Sequence, residues 1–228
     1  MKNKPKLLKI HRDGYIFTAI FALVSALAGW MFAPLGWILL ILTFWCIYFF
    51  RDPDRVTPTD DKNIVSPADG VVSKIEEVQL PAELGMGKEE VIRISIFLSV
   101  FNCHVNRVPA SGKITKILYH PGKFFNAALD KASIHNERNL VAMELKNGKK
   151  LVFTQIAGLI ARRIVCKLDD GQQVEAGQRY GIIRFGSRMD IYLPKGELAQ
   201  VIEGQNMVAG ETILAKIGSK EKIKGTIQ

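Results

Sequence analysis

Cysteine is scarce in this chain, and what there is forms no pattern. Cys46, Cys103 and Cys166 lie far apart and no CxxC pair occurs, which excludes a disulfide framework and argues against a zinc site. A reducing, cytoplasmic setting fits that usage. Acidic residues are also short: 31 Lys and Arg face 22 Asp and Glu, for a formal net charge of +9. A balance of that sign calls for an anionic partner. Zinc-finger spacing, an RNP motif and interleaved aromatic and basic residues are all missing, so nucleic acid is excluded as the partner. An acidic membrane surface is the expectation that remains.

Charge is lacking altogether between Gly14 and Phe50. A bilayer core takes about 20 helical residues, and this run is nearly twice as long. Pro34-Leu35-Gly36 interrupts it near the middle, so two tightly linked spans or a re-entrant hairpin are expected over 15–50. One long tilted span is the alternative. A cleaved signal peptide is a poor reading, because the run is far too long and lacks a convincing small-residue cleavage site. The preceding 1–14 carry Lys2, Lys4, Lys6, Lys9 and Arg12 against Asp13 alone. By the positive-inside rule that end stays cytoplasmic, and a hairpin returns the chain to the same side.

A linker is expected over 51–62, from Arg51-Asp52-Pro53-Asp54-Arg55 through Pro58 to Asp60 and Asp61. From 63 to 228 the chain reads as one β-rich domain. Strands are predicted over Val71–Val78, Val91–Leu98, Lys113–Tyr119, Asn139–Leu145 and Lys150–Ile156, the last two joined by the hairpin pair Asn147-Gly148. Phe124–Ala132 is the best short helix, and Leu159–Lys167 fits helix and strand alike. Gly171-Gln172-Gln173-Val174-Glu175-Ala176-Gly177 is echoed by Gly204-Gln205-Asn206-Met207-Val208-Ala209-Gly210, each followed by a strand. This echo resembles the half-repeat of biotinyl- and lipoyl-type domains and other barrel-sandwich hybrids. The fold class expected is therefore mainly β (α+β), barrel-sandwich-hybrid-like, behind a helical membrane hairpin. A carrier role does not follow, because Lys216 lies inside a predicted strand rather than at a hairpin tip.

The chemistry centres on Arg184-Phe185-Gly186-Ser187-Arg188-Met189-Asp190, where a Gly-Ser pair sits between two β-type segments. Glycine reaches backbone conformations closed to other residues, so its carbonyl can be held exposed to the neighbouring hydroxyl. Attack by that hydroxyl needs a base and donors for the oxyanion. His11, His104, His120 and His135 are the bases on offer, and Asp69 in Pro67-Ala68-Asp69-Gly70 is a carboxylate in a turn.

Five motifs occur in order: Phe49-Phe50-Arg51-Asp52-Pro53-Asp54-Arg55, Ser66-Pro67-Ala68-Asp69-Gly70, Phe97 to Pro109 around His104, Asn136-Glu137-Arg138-Asn139, and Phe185-Gly186-Ser187. Together they resemble the phosphatidylserine decarboxylases, in the short, membrane-anchored bacterial or archaeal branch. The resemblance implies a proenzyme cut at Gly186-Ser187 into a β chain of 1–186 and an α chain of 187–228. These two chains would form a heterodimer, open to further oligomerisation. Ser187 would attack the Gly186 carbonyl and end as a pyruvoyl group, the covalent cofactor and Schiff-base site; no metal is implied. Asp69 and His104 would assist the cut, and His104 would handle protons in the decarboxylation of phosphatidylserine. Relatives often carry a second histidine three residues after the match to His104, and this chain has Arg107 there. Arg107, Lys123, Arg162 and Arg163 are candidates for the headgroup. The implied location is the inner membrane with the catalytic domain cytoplasmic. Two other readings stay open: a barrel-sandwich adaptor without activity, and a decarboxylase of an ether-lipid (archaetidyl) serine. Gly218-Ser219 repeats the dipeptide but is set aside, since Thr212–Ile217 reads as a closing strand.

Overall fold

The structure is a computed structural model and describes residues 9–87, 89–125, 135–158, 163–184, 187–221 and 223–225. It divides into two units, Met1–Asp54 and Arg55–Gln228.

The first unit is a pair of apolar helices, α1 (Arg12–Met31) and α2 (Ala33–Phe49). The break falls at Phe32, whose extended backbone ends α1. Pro34 lies not at the break, as the sequence suggests, but in the first turn of α2, where its missing N–H has no partner to lose. The helices close on each other at Gly36, where an added Cβ would strike Gly29, and Ser25 Oγ donates to Gly36 O at 2.9 Å. At the other end His11 N donates to Phe50 O at 2.8 Å, and Ile10 bridges Arg51 antiparallel. The expected hairpin is thus formed. By length and composition α1 can cross a membrane; α2, at 17 residues, is shorter.

The second unit is almost wholly β among the described residues. Its strands are β1 (Asn63–Val65), β2 (Gly70–Gln79), β3 (Glu90–Leu98), β4 (Val105–Arg107), β5 (Gly112–His120), β6 (Arg138–Leu145), β7 (Lys150–Ala157), β8 (Ile164–Cys166), β9 (Gln173–Val174), β10 (Arg179–Ile183), β11 (Ser187–Tyr192), β12 (Asn206–Met207) and β13 (Ile213–Lys216). Eight form one antiparallel sheet in the order β12-β2-β3-β11-β7-β6-β5-β9, with β4-β10-β8 and β1-β13 as smaller sheets. The predicted hairpin joins β6 to β7, with Gly148 at φ +78° and Asn147 Oδ1 accepting from Lys149 N. One face of the large sheet buries Ile94, Ile96, Val141, Met143, Phe153, Met189 and Ile191. Each such side chain contributes about 1.5–3 kcal/mol of burial. Leu84, Val91, Leu140, Ala142, Val152 and Tyr192 make a second, smaller cluster.

The unit repeats itself more deeply than the Gly-Gln echo shows. Pro67-Ala68-Asp69-Gly70-Val71-Val72-Ser73-Lys74-Ile75 has a counterpart in Pro109-Ala110-Ser111-Gly112-Lys113-Ile114-Thr115-Lys116-Ile117. Each copy opens with a short strand, β1 or β4, and continues into a long one, β2 or β5. Val65 N donates to Pro109 O at 2.8 Å, and Arg107 N donates to Pro67 O at 2.9 Å. Both long strands carry a bulge at the same place, Val72/Lys74 and Ile114/Lys116. The two echoed glycine motifs dock on the two copies alike, β12 on Gly70 and β9 on Gly112. The molecule is thus a pseudo-two-fold barrel-sandwich with β11 and β7 at its centre.

Part of the secondary-structure reading falls elsewhere. The helix expected over Phe124–Ala132 lies mostly outside the described residues, and Phe124 and Phe125 have no regular structure. Leu159–Lys167 resolves in part as β8. Glu137 and Arg138, adjacent in sequence, take different partners. Arg138 pairs with Glu83 at 2.6 Å, while Glu137 accepts from Ile164 N.

Candidate active site

Ser187 is the first residue of β11 and is held on both sides, opposite Leu98 of β3 and Ala157 of β7. The preceding strand β10 belongs to a different sheet. β10 and β11 are therefore not paired with each other as a hairpin. Phe185 and Gly186 lie outside the described residues. Ser187 is 0% exposed, and its Oγ has no hydrogen-bond partner among the described residues. A buried hydroxyl without a partner is costly, and such groups concentrate where chemistry needs them. Gly218-Ser219 is different in kind: it is a turn after β13, and Ser219 Oγ accepts from Gln200 Nε2 at 2.8 Å.

His104 is reached from the same end of the sheet. Beyond Leu98, the cross-strand partner of Ser187, the chain turns on Asn102, whose Oδ1 accepts from both Ser99 N and Ser99 Oγ at 2.8 Å. His104 then enters fully buried, with Nδ1 at 3.0 Å from Asn102 O. With a proton on Nδ1 donated to that carbonyl, Nε2 is the basic nitrogen. Asp69 precedes β2 at this same end. Its Oδ2 meets Arg55 at 2.7 Å and its Oδ1 accepts from Ala209 N at 2.8 Å. The equivalent in the other half is Ser111, whose Oγ accepts from Ala176 N at 3.1 Å. The topology thus gathers Ser187, His104 and Asp69 at one end of the sheet, while the Asp69 carboxylate is given to Arg55 and the glycine motif.

The other candidates separate. Arg107 is buried, donates to Gly177 O at 2.9 Å and packs beside Gly210, so it braces the two glycine motifs. Lys123 approaches the Phe125 ring, Arg163 is exposed, and Arg162 is outside the described residues. His120 lies 4.0 Å from Glu83, His135 stacks edge-on against Phe125, and His11 caps α1.

The structure adds residues that sequence reading passed over. Gln155, Asn106 and Asn139 are all buried and joined side chain to side chain. Asn139 Nδ2 donates to Gln155 Oε1 at 3.2 Å, and Gln155 Nε2 donates to Asn106 Oδ1 at 2.9 Å. Cys166 ends the chain on Asn139, and burial pushes its thiol pKa up, so it stays protonated. The signal available was Thr154-Gln155 standing inside the apolar run Leu151 to Ile156. On the opposite face of β11, Arg188 and Asp190 form a buried ion pair at 2.9 Å, with Arg93 at 3.8 Å from Asp190. Among the described residues no cluster of His, Cys, Asp and Glu could hold a metal ion.

Fold and site together define a class: a barrel-sandwich domain behind an apolar helical hairpin, with a buried serine hydroxyl at the head of its central strand. Comparison with known proteins makes the class specific. The family model for phosphatidylserine decarboxylase matches residues 42–215. The chain is 58% identical over 222 residues to the phosphatidylserine decarboxylase proenzyme of Rickettsia rickettsii (strain Sheila Smith), covering 97% of this chain and 96% of that one. The proenzymes of Rickettsia akari and Rickettsia typhi are 59% and 57% identical over the same share. The chain belongs to the phosphatidylserine decarboxylase family. That membership disfavours the reading as an adaptor without activity.

Proposed function

We propose that this chain is a proenzyme that cuts itself between Gly186 and Ser187 and then, carrying pyruvoyl at 187, decarboxylates phosphatidylserine to phosphatidylethanolamine and carbon dioxide. The observation that carries this reading is Ser187 Oγ, buried without a partner among the described residues at the start of a strand held from both sides. In the cut, Oγ adds to the Gly186 carbonyl carbon while His104 Nε2 takes the hydroxyl proton. The C–N bond then breaks, the proton goes to the new amine, and an ester joins the chains. Elimination of the ester from residue 187 and hydrolysis, with loss of ammonia, leave pyruvoyl on the α chain of 187–228. Arg55 and the N–H of Ala209 hold Asp69, which serves the cut by positioning the turn before β2 rather than by touching the hydroxyl.

The residues at 187 fit the group. A pyruvoyl group at 187 would supply an electrophilic carbonyl for the substrate amine and an electron sink for the decarboxylation. His104, on the same end of the sheet, supplies and receives the protons. The α1–α2 hairpin lies in the inner membrane, with the basic N-terminus and the β domain on the cytoplasmic side. Basic residues near the surface favour anionic lipid by about 1 kcal/mol each. The β and α chains stay together as a heterodimer because β11 remains paired with β3 and β7.

Intact mass of the purified protein under denaturing conditions tests this, with Ser187→Ala as control. The expected result is two chains splitting between 186 and 187, the smaller lighter by one ammonia than a serine-started peptide, and a single chain for the variant. One uncut chain from folded wild-type protein overturns the reading.

A further inference from the structure

The pseudo-two-fold repeat supplies an internal control for every residue of the site. Ile64 of β1 pairs with Ala215 of β13, and Asn106 of β4 pairs with Gly181 of β10. The two positions are equivalent in the fold and both are 0% exposed. One half fills its position with an apolar side chain, as a buried site favours. The other half places an amide there, at a cost unless the amide has work to do.

Its surroundings fix which way that amide points. Gln155 Nε2 donates to Asn106 Oδ1 at 2.9 Å, and Gln155 Oε1 is itself held by Asn139 at 3.2 Å. The oxygen of Asn106 is thereby used, and its Nδ2 hydrogens are left over. Nδ2 is buried and has no hydrogen-bond partner among the described residues. Gly181 leaves the space for this arrangement, since a Cβ there would press on Gln155 Nε2 at 3.2 Å and strike Val165 O. Gln155 faces Met189 on β11, one diagonal step from Ser187 on the same side of the sheet. Asn106 lies two residues beyond His104. An amide donor and a buried hydroxyl, each without a hydrogen-bond partner among the described residues, are thus linked through Gln155, which bonds the first and lies one diagonal step from the second.

We infer that Asn106 is a catalytic residue of the self-cleavage, its Nδ2 donating to the carbonyl oxygen of residue 186 as that oxygen takes up negative charge. This rests on the proposal that Ser187 cuts the chain. As Oγ bonds to the carbonyl carbon, the C=O π pair moves onto the oxygen and the hydroxyl proton moves to His104. The amide then stabilises the oxyanion until the C–N bond breaks and the pair returns. Gln155 and Asn139 are positioning residues that keep the donor turned inward. Loss of one preorganised donor of this kind slows a reaction about 100- to 1,000-fold.

The test uses the full chain and follows the appearance of the α chain with time by denaturing mass spectrometry, with Tm measured in parallel. Asn106→Ile installs the residue that the other half already uses. It is expected to slow cleavage at least about 100-fold, far beyond what any change in Tm from the lost Gln155 hydrogen bond accounts for. Asn106→Asp keeps the oxygen that Gln155 needs and removes the donor, and is expected to slow cleavage equally. Cleavage at the wild-type rate in either folded variant overturns the inference, as does slowing that only tracks a lower Tm. Failure of the underlying reading looks different: wild-type protein itself stays uncut.

Discussion

Gly177 and Gly148 carry almost the same backbone angle, φ +77° and +78°, yet differ in what surrounds them. A Cβ on Gly177 would land on Thr57 Oγ1, whereas nothing lies within 4 Å of one on Gly148. Gly148→Ala is expected to cost only the left-handed strain of about 1–2 kcal/mol. Gly177→Ala adds a collision with a β-branched side chain, and chemical denaturation should show a loss at least twice as large. Asp69 is read the same way, from its contacts. Asp69→Asn loses the charge opposite Arg55 but keeps an oxygen for Ala209 N, and a drop of about 1–3 kcal/mol is expected. Cleavage in the folded fraction should continue, slowed rather than abolished; a folded and wholly uncut Asp69→Asn would return Asp69 to the reacting atoms. Thermal melts combined with intact mass distinguish the two.

At the scale of the element, β11 has two unlike faces. Ser187, Met189 and Ile191 face the main core, while Arg188 and Asp190 form the ion pair on the other side. Removing one partner of a buried pair strands the other charge, so Arg188→Met is expected to destabilise by about 3–5 kcal/mol. Arg188→Met with Asp190→Leu should recover much of that loss, read as denaturation midpoints in a double-mutant cycle. The 3₁₀ turn Ala82–Leu84 is latched to β6 by Glu83 and Arg138. Glu83 is held below the usual carboxylate range, first by its own backbone N–H and further by the Arg138 guanidinium. A depressed carboxyl adds stability above its unfolded pKa, about 4.3, and that contribution is lost as pH falls through the folded value. Glu83→Gln should therefore lower stability in the neutral region, leave the acid end little changed, and so flatten the fall between them.

The whole molecule is two units in one chain, and each has its own internal contacts. A chain of 55–228 keeps the strands β1 to β13 and the two hydrophobic clusters described above, and is expected to fold and to cut itself. Its activity on phosphatidylserine in vesicles should fall well below that of the full chain, while sedimentation should show it leaving the vesicle pellet. Failure of 55–228 to fold would contradict its standing as a separate unit.

Much of this was legible in the sequence because it rests on local chemistry. An uncharged run broken by Pro and Gly specifies a helical hairpin, alternating and β-branched segments specify strands, and Asn147-Gly148 specifies a turn. The five ordered motifs carried the family, and the Gly-Gln echo carried the fold class. The Pro-Ala-x-Gly repeat was present in the same letters and shows its meaning only when both copies dock alike. What the tertiary structure alone decided is which polar groups are satisfied. Nothing in the string tells that Asp69 is engaged by Arg55 and Ala209, that Arg107 braces two glycines, or that Ser187 Oγ and Asn106 Nδ2 have no hydrogen-bond partner among the described residues. Partnership between residues far apart along the chain depends on strand register and sheet order, and those are set by packing the whole core at once.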